Sequence, residues 1–341
     1  METILFIACD EINGKMARHS LETLTAAIEL AKNLGANFAA GYIGNKAETA
    51  ASRISGCGAT KLLAVTGPEF SIPRYATDAA AVEALAKISS ATIVIAPDNS
   101  RFSRALPGVA VRLGGRVDTH LIGVAVKNGT PVASRWLYRQ RIMAELSRSL
   151  RPWLITISPG CFPIFNAVTS KIIVEAVAMD LPAAATHTTF VALNALPGDV
   201  QTIQPDAQLL FVAGAGWTKK QTDGQTHAKE AGKLILNFLR KTQTSLGSSK
   251  SLINIGNEDR TVLPFLTHMH QIGQTGSSPR HPKGLATCCY GEEPHVIGWR
   301  FINERRAIDI DPNCGWAHGK ADVLYVANAF TVMTKVNELL K

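Results

Sequence analysis

Apolar and polar positions at the start of the chain switch between two periods. Thr3–Ala8 is a β-branched and aromatic run and predicts a strand. Leu21, Leu24, Ile28, Ala31 and Leu34 then recur at helical spacing, with Ser20 placed to cap that helix and Gly35 to stop it. Asn37–Tyr42 reads as a second strand, residues 47–54 as a short helix and Lys61–Val65 as a third strand. Ala81, Val82, Leu85 and Ala86 mark a helix over Thr77–Ser89, and Ala91–Ala96 is a continuous apolar run of the kind a strand buried on both faces needs. With a further helix over Ser103–Leu113, strands separated by helices of this length predict a parallel sheet.

From about Asp118 to Leu193 shorter β-like runs dominate: Leu121–Val126, Val132–Tyr138, Trp153–Ser158 and Thr188–Leu193. They predict antiparallel strands added to the parallel sheet. Leu196–Asp199 and Pro205 read as a linker, which sets domains of 1–200 and 206–341. In the second domain the alternation restarts. Ala207–Ala213 is a strand ending in Gly214-Ala215-Gly216, and Thr226–Leu239 is a helix with the stripe Ala228, Ala231, Leu234, Ile235 and Phe238. A helix near Glu258–His270, a strand ending near Cys288, strands at Ala307–Asp311 and Val323–Ala327 and a last helix over Asn328–Lys341 follow, while Thr242–Ser251 reads as a polar loop. The fold class is α/β: an N-terminal parallel-sheet domain with extra antiparallel strands, then a C-terminal Rossmann-like, doubly wound domain.

Composition narrows the classes. Apolar residues make up 46% and charged residues 18% of 341, which excludes a disordered chain. The apolar run at residues 3–9 is too short to span a bilayer and is followed by Asp10 and Glu11, so it reads as a strand, and no membrane insertion is expected. Six cysteines without a C-x-x-C pair suit a reducing compartment, hence a cytoplasmic protein, or a matrix one if processed, with no metal site expected. A net charge of +8 suggests an acidic partner, but Arg135–Arg151 and Arg300–Arg306 lie in no nucleic-acid motif, so a solvated face or a protein-docking surface is expected and nucleic acid is not.

Little in the sequence looks built to break a bond. There is no nucleophile elbow, no phosphate-binding G-x-x-x-x-G-K-[ST] loop and no paired-carboxylate spacing, so no catalytic residue is assigned. Gly214-Ala215-Gly216 follows a strand but lacks the third glycine of a dinucleotide fingerprint, with Lys219 in its place; a tight turn serves as well. Ile272-Gly273-Gln274-Thr275-Gly276 carries more. Its glycines let backbone approach a ligand, and Gln274 and Thr275 offer hydrogen bonds to a heteroaromatic edge, although a structural turn is equally compatible.

At that loop the chain resembles the alpha subunit of electron transfer flavoproteins. The family carries V/I-G-Q-T-G, then G-I-S-G-A-x-Q-H, a further glycine and A-I-N-x-D-P. Laid on from Gly276 without a gap, the pattern meets Gly291, His295, Gly298, Ala307-Ile308-Asp309 and Asp311-Pro312. Ala321–Asn328 is similar to the family's A-D-Y-G-I-V-x-D, Ser103–Pro107 with Arg112-Leu113-Gly114 to its G-R-D-L-x-P-x-V-A-A-R-L-G, and Pro159–Pro163 to its R-P-G-A-F-P.

The resemblance implies an electron carrier that holds FAD in its C-terminal domain. A beta subunit would complete the site and often hold AMP, and the N-terminal domain would supply the heterodimer interface. The donor would be a flavin-dependent dehydrogenase and the acceptor a quinone-reducing protein. By the same resemblance Ile272, Gly273, Gln274 and Thr275 line the flavin, His295 stands near its O2, and Ser249 and Lys250 take the place of a Ser-Arg pair by the ring and phosphates. Tyr290 takes the place of the phosphate-facing serine, Asp309 replaces an Asn on the adenosine side, and Gly291 and Asn328 complete the cofactor-binding set. The chain departs from the pattern where Lys250 replaces Arg, where Tyr290 replaces Ser, and where Glu292 and Glu293 fall near the pyrophosphate. Two alternatives stay open: a flavin-less pseudo-subunit that keeps only the partner-binding role, and an adenine-nucleotide-binding module built on the N-terminal domain.

Overall fold

A computed structural model describes every residue outside 11–15, 60, 139–141, 169–171, 182, 192–202, 205–206, 254–262, 274–277, 288–296, 299–300 and 341. The chain divides into two units, Met1–Leu193 and Asn194–Lys341.

In the first unit β1 (Thr3–Cys9), β2 (Asn37–Gly44), β3 (Lys61–Thr66) and β4 (Ile93–Pro97) alternate with α1 (Arg18–Leu34), α2 (Ala47–Ile54), α3 (Tyr75–Ile88) and α4 (Ser100–Arg112). Then come β5 (Arg116–Lys127), β6 (Thr130–Leu137), β7 (Ile142–Leu146), β8 (Trp153–Ile157) and β9 (Ile173–Ala176). The sheet runs β7-β6-β5-β8-β4-β1-β2-β3-β9; the β5–β6 and β6–β7 pairs are antiparallel and all others parallel. The expected mixed α/β architecture is therefore present.

Side-chain alternation explains why β1 reads as an unbroken apolar run. Ile4, Phe6 and Ala8 pack on one face with Leu21, Leu24 and Ile54 of α1 and α2. Leu5, Ile7 and Cys9 pack on the other with Val82, Leu85 and Leu106 of α3 and α4. Burying one such aliphatic or aromatic side chain is worth about 1.5–3 kcal/mol, and successive residues gain it on opposite sides.

Gly35 ends α1 in the left-handed conformation (φ 58°), with its N–H on Lys32 O, as expected. Ser20 does not cap that helix. The helix starts two residues earlier, and Arg18 pairs with Glu22 (2.8 Å) across the first turn while Ser20 is buried inside it. The run Thr188–Leu193 forms no strand over its described part, where Val191 is 93% exposed. Trp153–Ser158, expected among the antiparallel strands, forms β8 but lies parallel between β4 and β5; the further strands are β7, antiparallel to β6, and β9, parallel to β3.

The second unit holds β10 (Leu209–Ala213), α5 (Ala228–Thr242), β11 (Ser245–Ser248), β12 (His281–Thr287), β13 (Ile302–Asp309), α6 (Gly315–Lys320), β14 (Val323–Val326) and α7 (Ala329–Leu339). Its sheet is wholly parallel in the order β11-β10-β12-β13-β14. Phe211 and Ala213 face α5 and α7 with Trp217, while Leu210 and Val212 face the other side with Ile272, Ile302 and Ala317. Helical side chains thus cover both faces, the doubly wound arrangement. The stretch read as a polar loop contains β11, and of the helix expected near 258–270 the described residues carry only a 3-10 turn, His268–His270.

Candidate functional site

All five strands of the second sheet point the same way, so their carboxyl ends share one edge. β10 lies between β11 and β12 and connects onward to β11 first, so the strand order reverses beside it. Ligands of open α/β sheets bind in the crevice at such a point.

At the end of β11 the chain folds back on itself. Gln271 bridges Ser248 in parallel, and the Ile272 amide donates to Ser248 O (3.2 Å). The approach needs Gly247, because a Cβ there would stand 2.6 Å from Ile272 Cγ2. The Ile272 side chain is consequently core, and what this residue offers a ligand is backbone. The Gly273 amide donates to Ser278 Oγ (2.8 Å). Ser249, also buried, donates its amide to Ala213 O (2.9 Å), and its Oγ lies 2.8 Å from Ser251 Oγ. Lys250 opens the 3-10 turn Lys250–Leu252 with its side chain exposed.

The end of β10 leads through Gly214 into the 3-10 turn Ala215–Thr218 rather than into a helix, so the G-x-G pair is not followed by the helix N-terminus of a dinucleotide fingerprint. Trp217 fills the space below: its Nε1 donates to Thr287 Oγ1 (2.8 Å), which donates to Val212 O (2.9 Å), and its ring packs edge-on against Phe330. Asn328 caps α7, its Oδ1 accepting from Phe330 N (2.8 Å) and Thr331 N (3.3 Å). The motif glycine Gly298 has a structural reason of its own: φ is +76°, and a Cβ would meet Ile302 Cδ1 at 2.1 Å.

Asp309 closes β13 and is 1% exposed. Its Oδ1 accepts from Asp311 N (3.0 Å), and its Oδ2 is buried with no partner among the described residues. Burial pushes its carboxyl above the usual carboxylate range, and the like charge of Asp311 adds to that; the Asp311 amide and the Cys314 thiol work against it. Ser248, at the end of β11, is also fully buried with an unpartnered Oγ. Buried polar groups are nearly always satisfied, so these two ask for a ligand. β11 and β13 stand three strand positions apart, about 14 Å across the sheet. A ligand reaching both must be extended and carry hydroxyls or other polar groups at each end, which suits a dinucleotide better than a single nucleotide.

Six of the residues expected in the site are thus placed along or beside this edge: Ser249, Lys250, Ile272, Gly273, Asp309 and Asn328. Gln274, Thr275, Tyr290, Gly291 and His295 lie outside the described residues, as do Glu292 and Glu293. Ser248 was not singled out in the sequence. Had Ser245–Ser248 been recognisable as a strand, its last residue would have fallen at a ligand-facing end.

The first unit has its own polar cluster where β4 and β8 end, beside an irregularity within β5. Asp98 Oδ1 accepts from Ser103 Oγ (2.6 Å) and Thr156 Oγ1 (3.2 Å), and Oδ2 pairs with His120 Nδ1. His120 holds a left-handed backbone (φ 57°) where the β5–β8 register shifts, and its bond to Asp98 raises its pKa. Close by in sequence, Arg101 is buried. It donates to Asp78 Oδ1 through Nε (2.9 Å) and Nη2 (2.7 Å) and to Phe70 O (2.6 Å).

Comparison with known proteins bears on both units. Residues 4–184 match the family of electron transfer flavoprotein domains. Along the greater length the chain is similar to the electron transfer flavoprotein subunit alpha of Clostridium acetobutylicum, 25% identical over 317 residues that cover 90% of this chain and 88% of the relative. It is also similar to the subunit alpha of Thermoanaerobacterium thermosaccharolyticum, 23% identical over 343 residues, covering 99% and 97%.

Proposed function

The chain belongs to the electron transfer flavoprotein domain family, and from that premise we propose that it works as an alpha-type subunit holding FAD along the strand ends of its C-terminal unit. A beta-type subunit, with AMP of its own, completes the site. The pair carries electrons from a flavin-dependent dehydrogenase to a quinone-reducing acceptor in the cytoplasm. The observation that carries this reading is the pair of buried, unpartnered polar atoms, Ser248 Oγ and Asp309 Oδ2, at the ends of two strands of one parallel sheet. The residues present fit an extended dinucleotide, for which Asp309 on β13 would hold the adenosine side and the residues at the end of β11 the ring side.

FAD, when bound, supplies a ring that takes up and gives out electrons one or two at a time. The chain's own residues bind, orient and set charge. Asp309 accepts from a hydroxyl on the adenosine side. Ser248 and Ser249 present hydroxyls at the end of β11. Lys250 brings a positive charge to the rim, where it favours the reduced, anionic ring and the phosphates. Ile272 and Gly273 contribute backbone held against β11. The roles of Gln274, Thr275, Tyr290, Gly291 and His295 rest on the resemblance alone. The buried thiols of Cys9 and Cys57, which form no disulfide, accord with a reducing compartment.

Purification with a co-expressed beta-type subunit tests the reading. The expected result is a yellow complex that releases one FAD per heterodimer on denaturation. A folded heterodimer that stays colourless after incubation with excess FAD refutes flavin binding and favours a subunit that only holds its partner.

A further inference from the structure

Asp309 differs from two other buried aspartates among the described residues, which face arginines. Asp78 has Arg101 against it, and Asp118 has Arg148 at 2.8 Å. Asp309 has no cation in the described residues that touch it. Arg305 and Arg306 share its strand, but Arg305 is paired with Asp322 (2.6 Å) and Arg306 with Glu304 (2.7 Å) and the Tyr325 hydroxyl (2.9 Å). From β14, Val326 is its register partner, and the neighbouring strand β12 ends at Thr287, neither of them charged. From the segment that follows β13 it meets Asp311, a like charge, and the thiol of Cys314.

One oxygen of the carboxyl takes the Asp311 amide, and the Cys314 thiol and the Ile310 amide lie near the carboxyl and favour its ionised form. The other oxygen, Oδ2, is buried without a hydrogen-bond partner among the described residues. Such an atom is expensive in either form, and more so ionised. A ligand hydroxyl is the missing donor. The Asp311 amide already donates to the same carboxyl, and a second donor from a ligand hydroxyl would tip the buried group from the acid that burial favours toward the carboxylate.

Resting on the FAD reading above, we infer that Asp309 makes cofactor binding proton-linked: its Oδ2 accepts a hydroxyl of the bound dinucleotide, and binding draws the carboxyl into its ionised form. At pH values below the titration of Asp309 in the empty protein, one proton passes to the buffer as FAD enters and returns as FAD leaves. Burial, which raises the pKa of Asp309 in the free chain, brings this exchange toward working pH.

The test uses the full chain with its beta-type subunit, stripped of flavin and titrated with FAD from pH 4.5 to 8 by flavin fluorescence. FAD affinity is expected to fall about tenfold per pH unit below the titration of Asp309 and to level off above it. Calorimetry in two buffers of different ionisation enthalpy reads the proton directly, and its release should approach one per FAD on the sloping limb. Asp309→Asn removes the titration while keeping size, so its affinity profile should lack that limb and its binding should release that proton no longer. His295 remains in this variant, so a limb that survives the substitution belongs elsewhere. Asp311→Asn removes the like charge and should move the break to lower pH without abolishing it. Superimposable profiles for wild type and Asp309→Asn, or tighter binding as pH falls, overturn the inference and leave FAD binding intact. Failure of both proteins to bind FAD at any pH, with both folded, overturns the underlying reading and this inference with it.

Discussion

Replacing Gly247 by alanine places one methyl group where there is no room for it. The new Cβ would sit 2.6 Å from Ile272 Cγ2 and 3.4 Å from Leu210 Cδ1. Ile272 is 3% exposed, and its Cγ2 branches at Cβ, so it cannot swing clear without leaving the core. Overpacking of this kind costs about 1–3 kcal/mol. For a unit the size of Asn194–Lys341 that corresponds to a fall of roughly 2–12 °C in melting temperature. Relief comes from the partner side chain. Ile272→Ala alone should cost about 2–5 kcal/mol through the cavity it opens. Combined with Gly247→Ala it should cost less than the two single changes together, because the added methyl then enters that cavity. Chemical denaturation of the four proteins, with melting as a second measure, gives the coupling. A neutral Gly247→Ala, or costs that simply add, would refute the claim that the Ile272–Gly273 turn is pressed onto β11 at this glycine. In the single variant FAD affinity should fall as well, since the backbone offered at Ile272 is displaced.

Three further outcomes follow from contacts described above. Asn328→Ala should lose about 1 kcal/mol with the cap of α7, whereas Asn328→Asp, an equally good cap, should keep stability; loss of FAD affinity in the Asp variant alone would assign the side chain a binding role as well. Asp78→Ala leaves Arg101 buried and uncompensated and should destabilise the first unit by about 3–5 kcal/mol in denaturant titrations, while a change below 1 kcal/mol would show that water reaches the guanidinium. His120 is raised by its bond to Asp98. For Asp98, burial pushes upward, but hydrogen bonds from His120, Ser103 and Thr156 outweigh it and leave its pKa lowered. The stability His120 contributes is therefore full below its unfolded value of about 6.5 and is lost as pH rises through its raised folded value; that of Asp98 is present above about 3.8 and is lost as pH falls through its lowered one. The advantage of wild type over His120→Gln should peak between these limits and shrink toward pH 9, at no more than about 1 kcal/mol because the ring is largely in solvent; a constant difference across that range would remove the ion pair from the account.

The parts of the fold legible in the sequence are those where one element satisfies its own pattern. Ile4 through Ala8 announce a strand because every position is apolar, and Gly35 announces a helix end because only that residue takes the turn cheaply. β11 was illegible for the opposite reason. Ser245-Leu246-Gly247-Ser248 has one large apolar residue, and its burial is imposed by neighbours: pairing with β10, Ile272 above Gly247, and the Gln204 amide on Ser245 Oγ (2.7 Å). Ser20 looks like a cap, yet Arg18 and Glu22 extend the helix past it. In the site, Asp309 was reached through a motif, and nothing in its local sequence says that one of its oxygens is stranded. Ser248 was hidden by the misread strand. The Asp98–His120 cluster joins residues far apart in the chain, and only the register shift in β5 brings the imidazole round to the carboxylate.

The two-sided burial of β1 carries a consequence for how this chain can vary. Where one flank of a strand is wet, a slip by a single residue is punished by polarity. Here both flanks are greasy, and exchanging them would cost nothing in polarity. Alignment with β2 must therefore be held by bulk: Ile7 lies opposite Gly41, where an added Cβ would come within 3.2 Å of Leu85 Cδ1. Substitutions along this ribbon should be filtered by volume far more strictly than by chemical character, and a trade of large for small across the pair should unsettle its alignment while leaving the composition as oily as before.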